Sequence, residues 1–312
     1  MDARTTACRI LALVAALLLS TAADAQVLFR AYLASDGSDA NPCTLPQPCR
    51  LLPTALAKVM SGGEIWMLDS ANFNSGTVTV GKSVSILAVP GAVGSVVALG
   101  GPAILVSDPG LKIALRNLVI VPVAGSGGTS GVQVAGASSV TIEASVIANL
   151  PMHGVNVLGS GKVVITDSTI RDSGVNGISL ECGTNADVVN SKLINNFKGL
   201  HAYCDSAATT QASFVDSAII GGAEGIVAFS NATGAIVQVF VTRASIQRTS
   251  YGIDATAAPN STALVTLSYS MVTNNTTGWY TNGAGATIRS LVNNHMTDNG
   301  PPGGSLTAAA LQ

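Results

Sequence analysis

"NGISLEC" (Asn176–Cys182) and "KGLHAYC" (Lys198–Cys204) each carry a glycine in second place, an aliphatic residue in third and a cysteine in seventh, and the cysteines are 22 residues apart. A similar interval recurs outward from this pair. The residues closing "ASVI", "DSTI", "NSKL", "DSAI", "RASI", "YSMV" and "NNHM" are Ile147, Ile170, Leu193, Ile219, Ile246, Val272 and Met296, in steps of 23, 23, 26, 27, 26 and 24 residues. A glycine follows six of them: Gly154, Gly177, Gly199, Gly225, Gly252 and Gly278. After each glycine comes Val155, Ile178, Leu200, Ile226, Ile253 or Trp279, and Gly131 in "SGVQV" extends the column 23 residues upstream. Two columns kept in step across seven units mark an internal repeat.

Each unit contains short alternating segments, such as "VVI", "GVNV", "GISL" and "LVTL", separated by Gly, Asn, Asp and Ser. That is strand and turn chemistry, and no helical period appears after about residue 61. A unit of this length with two or three short strands fits one coil of a parallel β-helix, each strand lying on its counterpart in the coil before. A leucine-rich repeat would need its own leucine and asparagine pattern, and a sandwich or barrel would not produce the columns. The prediction is an all-β, single-stranded solenoid of about nine or ten coils.

Stacking explains the paired cysteines. Equivalent residues of adjacent coils lie about 4.8 Å apart, within the Cα separation of roughly 4.4–6.8 Å that a disulfide requires. A Cys182–Cys204 staple between neighbouring coils is expected to contribute on the order of 3 kcal/mol. "CTLPQPC" closes a short proline-stiffened loop, so Cys43–Cys49 is the natural local pair. The spacings are not those of a zinc site.

Residues 1–25 read as a signal peptide. Arg4 and Arg9 precede the apolar run "ILALVAALLL" (Ile10–Leu19), and "ADA" (Ala23–Ala25) fits the small-x-small cleavage rule, leaving Gln26 first. Cys8 departs with it, and four cysteines remain. The run is too short to span a bilayer, so no transmembrane segment is expected and the destination is secreted or periplasmic. The 312-residue chain is 47% hydrophobic and 10% charged with a net charge of -2. It has neither the basic patch of a nucleic-acid binder nor the low hydrophobicity of a disordered chain.

"LLPTALAKVM" (Leu51–Met60) is the one convincing helix of the mature chain, with Leu52, Ala55, Leu56 and Val59 on one face. It is placed to cap the first coil, whose open strand edges would otherwise invite aggregation. The stretch "YLASDGSDANPCTLPQPCRLLPTALAKVMSGGEIWMLDSANF" (Tyr32–Phe73) resembles the opening of secreted right-handed parallel β-helix proteins of the pectin-lyase-like superfamily. There, a strand and a "GSDxNPCT"-type turn precede the capping helix, and a "KSVSI"-like second coil (Lys82–Ile86) follows. The resemblance implies one right-handed β-helix domain over residues 26–300 with its N-terminal cap at about 26–62. Residues 301–312 are expected to form a flexible tail. It leaves function open, because the superfamily includes lyases, hydrolases, epimerases and adhesins.

Polysaccharide enzymes of this fold work on the long face formed by the strands after the glycines. The outward column there is Gln133, Asn156, Ser179, His201, Val227, Asp254 and Tyr280. The residues just before the glycines give His153, Asn176, Lys198, Glu224, Tyr251 and Thr277. Rings that stack on sugars beside groups that bond hydroxyls make His153, Glu224, Tyr251, Asp254 and Tyr280 the candidate substrate-binding residues. If the protein is an enzyme, Lys198 or His201 would act as base. A solvated face with an exposed Lys198–Glu224 pair is the plainer alternative.

No complete catalytic set of the family carries over. Glu181 and Asp205 are the near-stacked carboxylates and lack the third that a calcium-dependent lyase needs. "MHG" (Met152–Gly154) lacks the acidic partners of a polygalacturonase, and the epimerase-like "DPH" is missing. No metal or cofactor is therefore assigned, with Ca²⁺ left open. The column Ser145, Ser168, Ser191, Ser217 and Ser270 with Asn294 recurs in coil after coil, as a turn ladder does and a nucleophile does not. Asp167 and Asp172 read likewise as turn residues. Asn231, Asn260 and Asn275 would accept glycans only on a eukaryotic secretory route. The expected partner is a polysaccharide or other glycan bound by a monomer. A lyase or hydrolase with an atypical site, and a structural or adhesive surface protein, are the alternatives.

Overall fold

The computed structural model describes residues 27–309 apart from Ala137 and Val292, so the segment expected as a signal peptide lies outside the described residues. The chain winds into a solenoid whose strand ladders are parallel and form three sheets of 12, nine and nine strands. Within a coil the chain visits sheet I (for example Asn185–Val189), then sheet II (Lys192–Ile194), then sheet III (Lys198–Cys204). From Val84–Ala88 to Thr277–Asn282 the order repeats as eight regular triplets. Before them, the second and third strands of the first coil shrink to Ala71–Asn72 and Val78–Thr79. After them comes an irregular turn, in which His295 bridges Met271 and Gly303 bridges Tyr280. The stretch expected to be a tail ends this turn: Leu306–Ala309 pairs with the preceding strand of sheet I.

The columns seen in the sequence are the registers of the sheets. Ile147, Ile170, Leu193, Ile219, Ile246 and Val272 pair in succession along sheet II. Val132, Val155, Ile178, Leu200, Ile226, Ile253 and Trp279 do so along sheet III. Apart from the partly buried Trp279, these side chains are fully buried and stack into one continuous interior. The glycine column is forced by close approach. A Cβ on Gly199 would lie 2.6 Å from the Gly225 carbonyl oxygen and 2.9 Å from Ile219 Cγ2, where no side chain fits without moving backbone.

The corner between sheets I and II is built by two adjacent positions. The first takes the left-handed conformation, as at Asn117, Asp167, Asn190 and Asp216, with φ of 48–54°, which Asn and Asp tolerate best. The second is the serine ladder. Ser168 Oγ accepts the Ser145 amide at 3.1 Å and donates to the Thr166 carbonyl at 2.7 Å. Ser191 repeats this with Ser168 N and Val189 O, and Ser217 with Ser191 N and Val215 O. Ala244 interrupts the run, and Ser270 with Asn294 resumes it. At the corner between sheets II and III, buried asparagines perform the same service: Asn196 Oδ1 accepts the Ser173 amide and Asn275 Oδ1 the Thr249 amide. Asn275 is thus 3% exposed and closed to glycosylation in the folded chain, whereas Asn231 and Asn260 are exposed.

Both disulfides pair as expected. Cys43–Cys49 spans six residues, and Cys182–Cys204 joins neighbouring coils across a Cα separation of 4.3 Å. The helix runs over Leu52–Lys58, with Pro in its first turn, and buries Leu52, Ala55 and Leu56. Val59, expected on that helical face, is instead the first buried residue of the strand Val59–Met67.

Candidate functional site

The outer side of sheet III carries the candidate residues, and both of their columns hold register. His153, Asn176, Lys198, Glu224, Tyr251 and Thr277 are successive neighbours, as are Gln133, Asn156, Ser179, His201, Val227, Asp254 and Tyr280. Lys198, His201, Glu224, Tyr251 and Asp254 therefore share one surface across three coils. His153 lies two coils before Lys198, and Tyr280 one coil after Asp254.

This face is less solvated than an outward column suggests. Asn176, Ser179 and Val227 are buried, each covered by its neighbours above and below. Lys198 Nζ donates to Glu224 Oε2 at 2.6 Å, and the two side chains keep only 23% and 21% of their exposure, so the pair is half-buried rather than a free surface ion pair. Burial, with Lys198 and His153 nearby, lowers the pKa of His201 to about 4, and burial lowers that of His153 as well. Both rings are neutral at pH 7. Burial raises the pKa of Asp254 against the hydrogen bond it accepts from Thr256 Oγ1 at 2.8 Å. On the flank beside Cys182, burial and the Asp205 carboxylate raise that of Glu181.

Two residues that the sequence reading passed over complete the face. Tyr203 and Phe229 are register neighbours four residues past Gly199 and Gly225. Tyr203 stacks on His201 with centroids 6.0 Å apart and meets Phe229 at 5.5 Å. Tyr251 and Tyr280 pair edge-on at 5.9 Å. Rings thus flank the polar cluster on two sides. The signal was present in "KGLHAYC" and "EGIVAFS", where alternation continues two residues beyond the segment used to define the columns. An exposed apolar strip, Met152, Val175 and Phe197, borders the face at the turn before each strand.

Several polar atoms here lack a protein partner: His153 Nδ1, Asn156 Oδ1 and Asn176 Oδ1. Asn176 Nδ2 meets His201 Nδ1 at 3.4 Å, leaving the amide oxygen unsatisfied. Orphaned polar atoms are costly in a folded interior, and these three lie beneath one face, closed to solvent as the side chains stand. Elsewhere, a groove of about 460 Å³ follows the corner of sheets I and II past Lys192, Tyr269 and His295. Its charged pair is already satisfied: Arg243 Nε and Nη2 donate to both carboxylate oxygens of Asp216. Among the described residues no group of three or more His, Cys, Asp or Glu side chains is placed to hold a metal ion, and no helix is long and apolar enough to cross a membrane.

Residues 115–265 match the family described as "Right handed beta helix region". No curated protein sequence matches the chain. Among solved structures it is similar to pectate lyase Pel9A, at 16% identity and a TM-score of 0.59, over 90% of this chain and 78% of that one. It is also similar to XylC in complex with xylose, at 8% identity and a TM-score of 0.56, over 85% and 75%. At such identities the likeness establishes the fold.

Proposed function

We propose that this right-handed parallel β-helix, which shares its fold with a pectate lyase, is an exported protein that binds an extracellular or cell-envelope polysaccharide along the outer side of sheet III. The observation that carries the reading is the run of rings Tyr203, Phe229, Tyr251 and Tyr280 on the face that also holds the polar side chains of His201, Glu224 and Asp254. Pyranose rings stack on aromatic faces, and their hydroxyls bond the polar side chains between them. The face runs along the solenoid, matching the linear repeat of a chain of sugars. Export is supported by the leader-like residues 1–25 and by two disulfides, which persist in oxidising compartments.

A lyase or hydrolase with an atypical site is the second reading, favoured by the neutral His201 ring at the centre of the face. Lys198 suits a base poorly, because its ammonium is held by Glu224 at 2.6 Å. His201, with a pKa of about 4, accepts a proton only weakly. Binding therefore ranks ahead of turnover.

The test is a glycan array followed by calorimetry on the full chain. Tyr251→Ala is expected to weaken binding by about ten-fold, as loss of an aromatic anchor does. An array with no bound glycan would discard the reading. Ultraviolet absorbance of unsaturated products and release of reducing ends report turnover. Any turnover found should vanish in Lys198→Ala/His201→Ala, and undiminished rates would remove both residues as bases.

A further inference from the structure

We propose that the outer side of sheet III selects uncharged glycan segments and rejects polyuronates; this rests on the glycan-binding reading and specifies its substrate class. The argument begins with charge. Among the described residues, Lys198 is the one cation in the outward columns of sheet III, against the carboxylates of Glu224 and Asp254, so +1 and -2 sum to -1. Were Asp254 protonated, the sum would reach zero, and at neutral pH it does not become positive. His153 and His201 add nothing at neutral pH. Glu181 and Asp205 on the flank make the surroundings more negative. Arg171, on the adjoining corner, is held by Asp172, and the exposed Arg248 lies three residues before Tyr251, outside the columns.

A polyuronate presents a carboxylate on every sugar. Binding one requires cations that are free to pair with it, and Lys198 is already committed to Glu224. Each uronate carboxylate would meet like charge, which opposes association. The orphaned atoms call for donors of any glycan. Asn156 Oδ1 and Asn176 Oδ1 are acceptors and need a donor. A hydroxyl donates, whereas a carboxylate only accepts. Asn156 and His153 are partly buried, so their orphaned atoms meet a ligand hydroxyl only after the side chains rotate outward. Sugar hydroxyls of either class can donate, so discrimination rests on the uronate carboxylates, for which the site holds no free cation.

The experiment titrates the full chain with a panel of neutral glycans (xylan, mannan, galactan, mixed-linkage glucan) and of polyuronates (polygalacturonate, alginate), with and without added Ca²⁺. The expected result is that the tightest ligand is neutral, that its affinity is unchanged by added salt, and that every polyuronate binds at least about ten-fold more weakly. Asn156→Ala should weaken the neutral ligand while the melting temperature holds. Glu224→Gln, with one negative charge removed, should narrow the gap to the polyuronates. A polyuronate as the tightest ligand, with Ca²⁺ or without, overturns the charge argument and leaves glycan binding standing. Failure of every glycan in the panel removes the binding reading and this inference with it.

Discussion

A single hydroxyl at the corner of sheets I and II answers two backbone groups at once, one in its own coil and one in the coil before. Because Ser145, Ser168, Ser191, Ser217 and Ser270 are all nearly fully buried, each such bond is shielded from water. Ala244 offers no hydroxyl to the Ser217 amide, so the ladder has a gap. Ala244→Ser should close it and stabilise the fold by about 1 kcal/mol, the net value of a buried hydrogen bond. A shift of the urea midpoint to higher concentration checks this, and an unchanged or lower midpoint would mean the corner has no room for the oxygen. His201 makes a second prediction at this scale. Its folded pKa of about 4 lies below the ordinary 6.5, so the unfolded chain takes up the proton first. Stability from the neutral ring is intact above pH 6.5 and is lost as pH falls toward 4, by up to about 3 kcal/mol. His153 acts in the same direction, whereas Asp254 and Glu181, with raised pKa values, act in the opposite one. Comparing the urea midpoints of the protein and His201→Gln at about pH 7 and about pH 5 isolates the ring. The variant should lose less stability on acidification, and equal losses would contradict burial of the imidazole.

At the scale of elements, the strands and the serine corner were legible and the asparagine corner was not. Parallel pairing in register turns equal spacing into physical adjacency, so Gly177 and Gly199, or Ile178 and Leu200, announce their contact by position alone. The corner asparagines give no such signal. Asn275 drew notice only as a glycan acceptor and Asn196 drew none, and only the winding shows that their amides turn inward to satisfy Ser173 and Thr249. The helix was visible from its apolar face, but its end was not, since Val59 continues the buried pattern into a strand. Cys182–Cys204 belongs to this scale because it ties the turn after one strand of sheet III to the end of the next strand. Replacing both cysteines by serine should lower stability by about 3 kcal/mol, the value for a loop of this order. Denaturant midpoints of the oxidised protein and the double variant test it, and coincident curves would show that the stacked strands hold without the bridge.

At the scale of the whole molecule, the candidate face was legible as two columns of letters and illegible as an environment. Lys198, His201, Glu224 and Asp254 fall together as their spacing implies. Their half-buried state and the neutral imidazoles depend on what lies above, below and beside them, which one coil does not disclose. Tyr203 and Phe229 escaped notice because their strands run to seven residues in the middle coils, against five in Asn176–Leu180. The same solenoid contacts that build the face pass from each coil only to the next, so stability is a nearest-neighbour property along the axis.

The sulfur bridge between Cys182 and Cys204 gives this rod a mechanical asymmetry. Tugged at its two ends, the stack would shed windings one after another from the extremities. The 22-residue span between the two sulfur atoms could never be drawn out straight, so the final extension falls short by about that much chain. An optical trap would register the missing length, and reductant would restore it. The windings that lie under Asn176, Ser179, Lys198 and His201 are the ones so clamped, which keeps the middle of the molecule from unravelling into full-length chain.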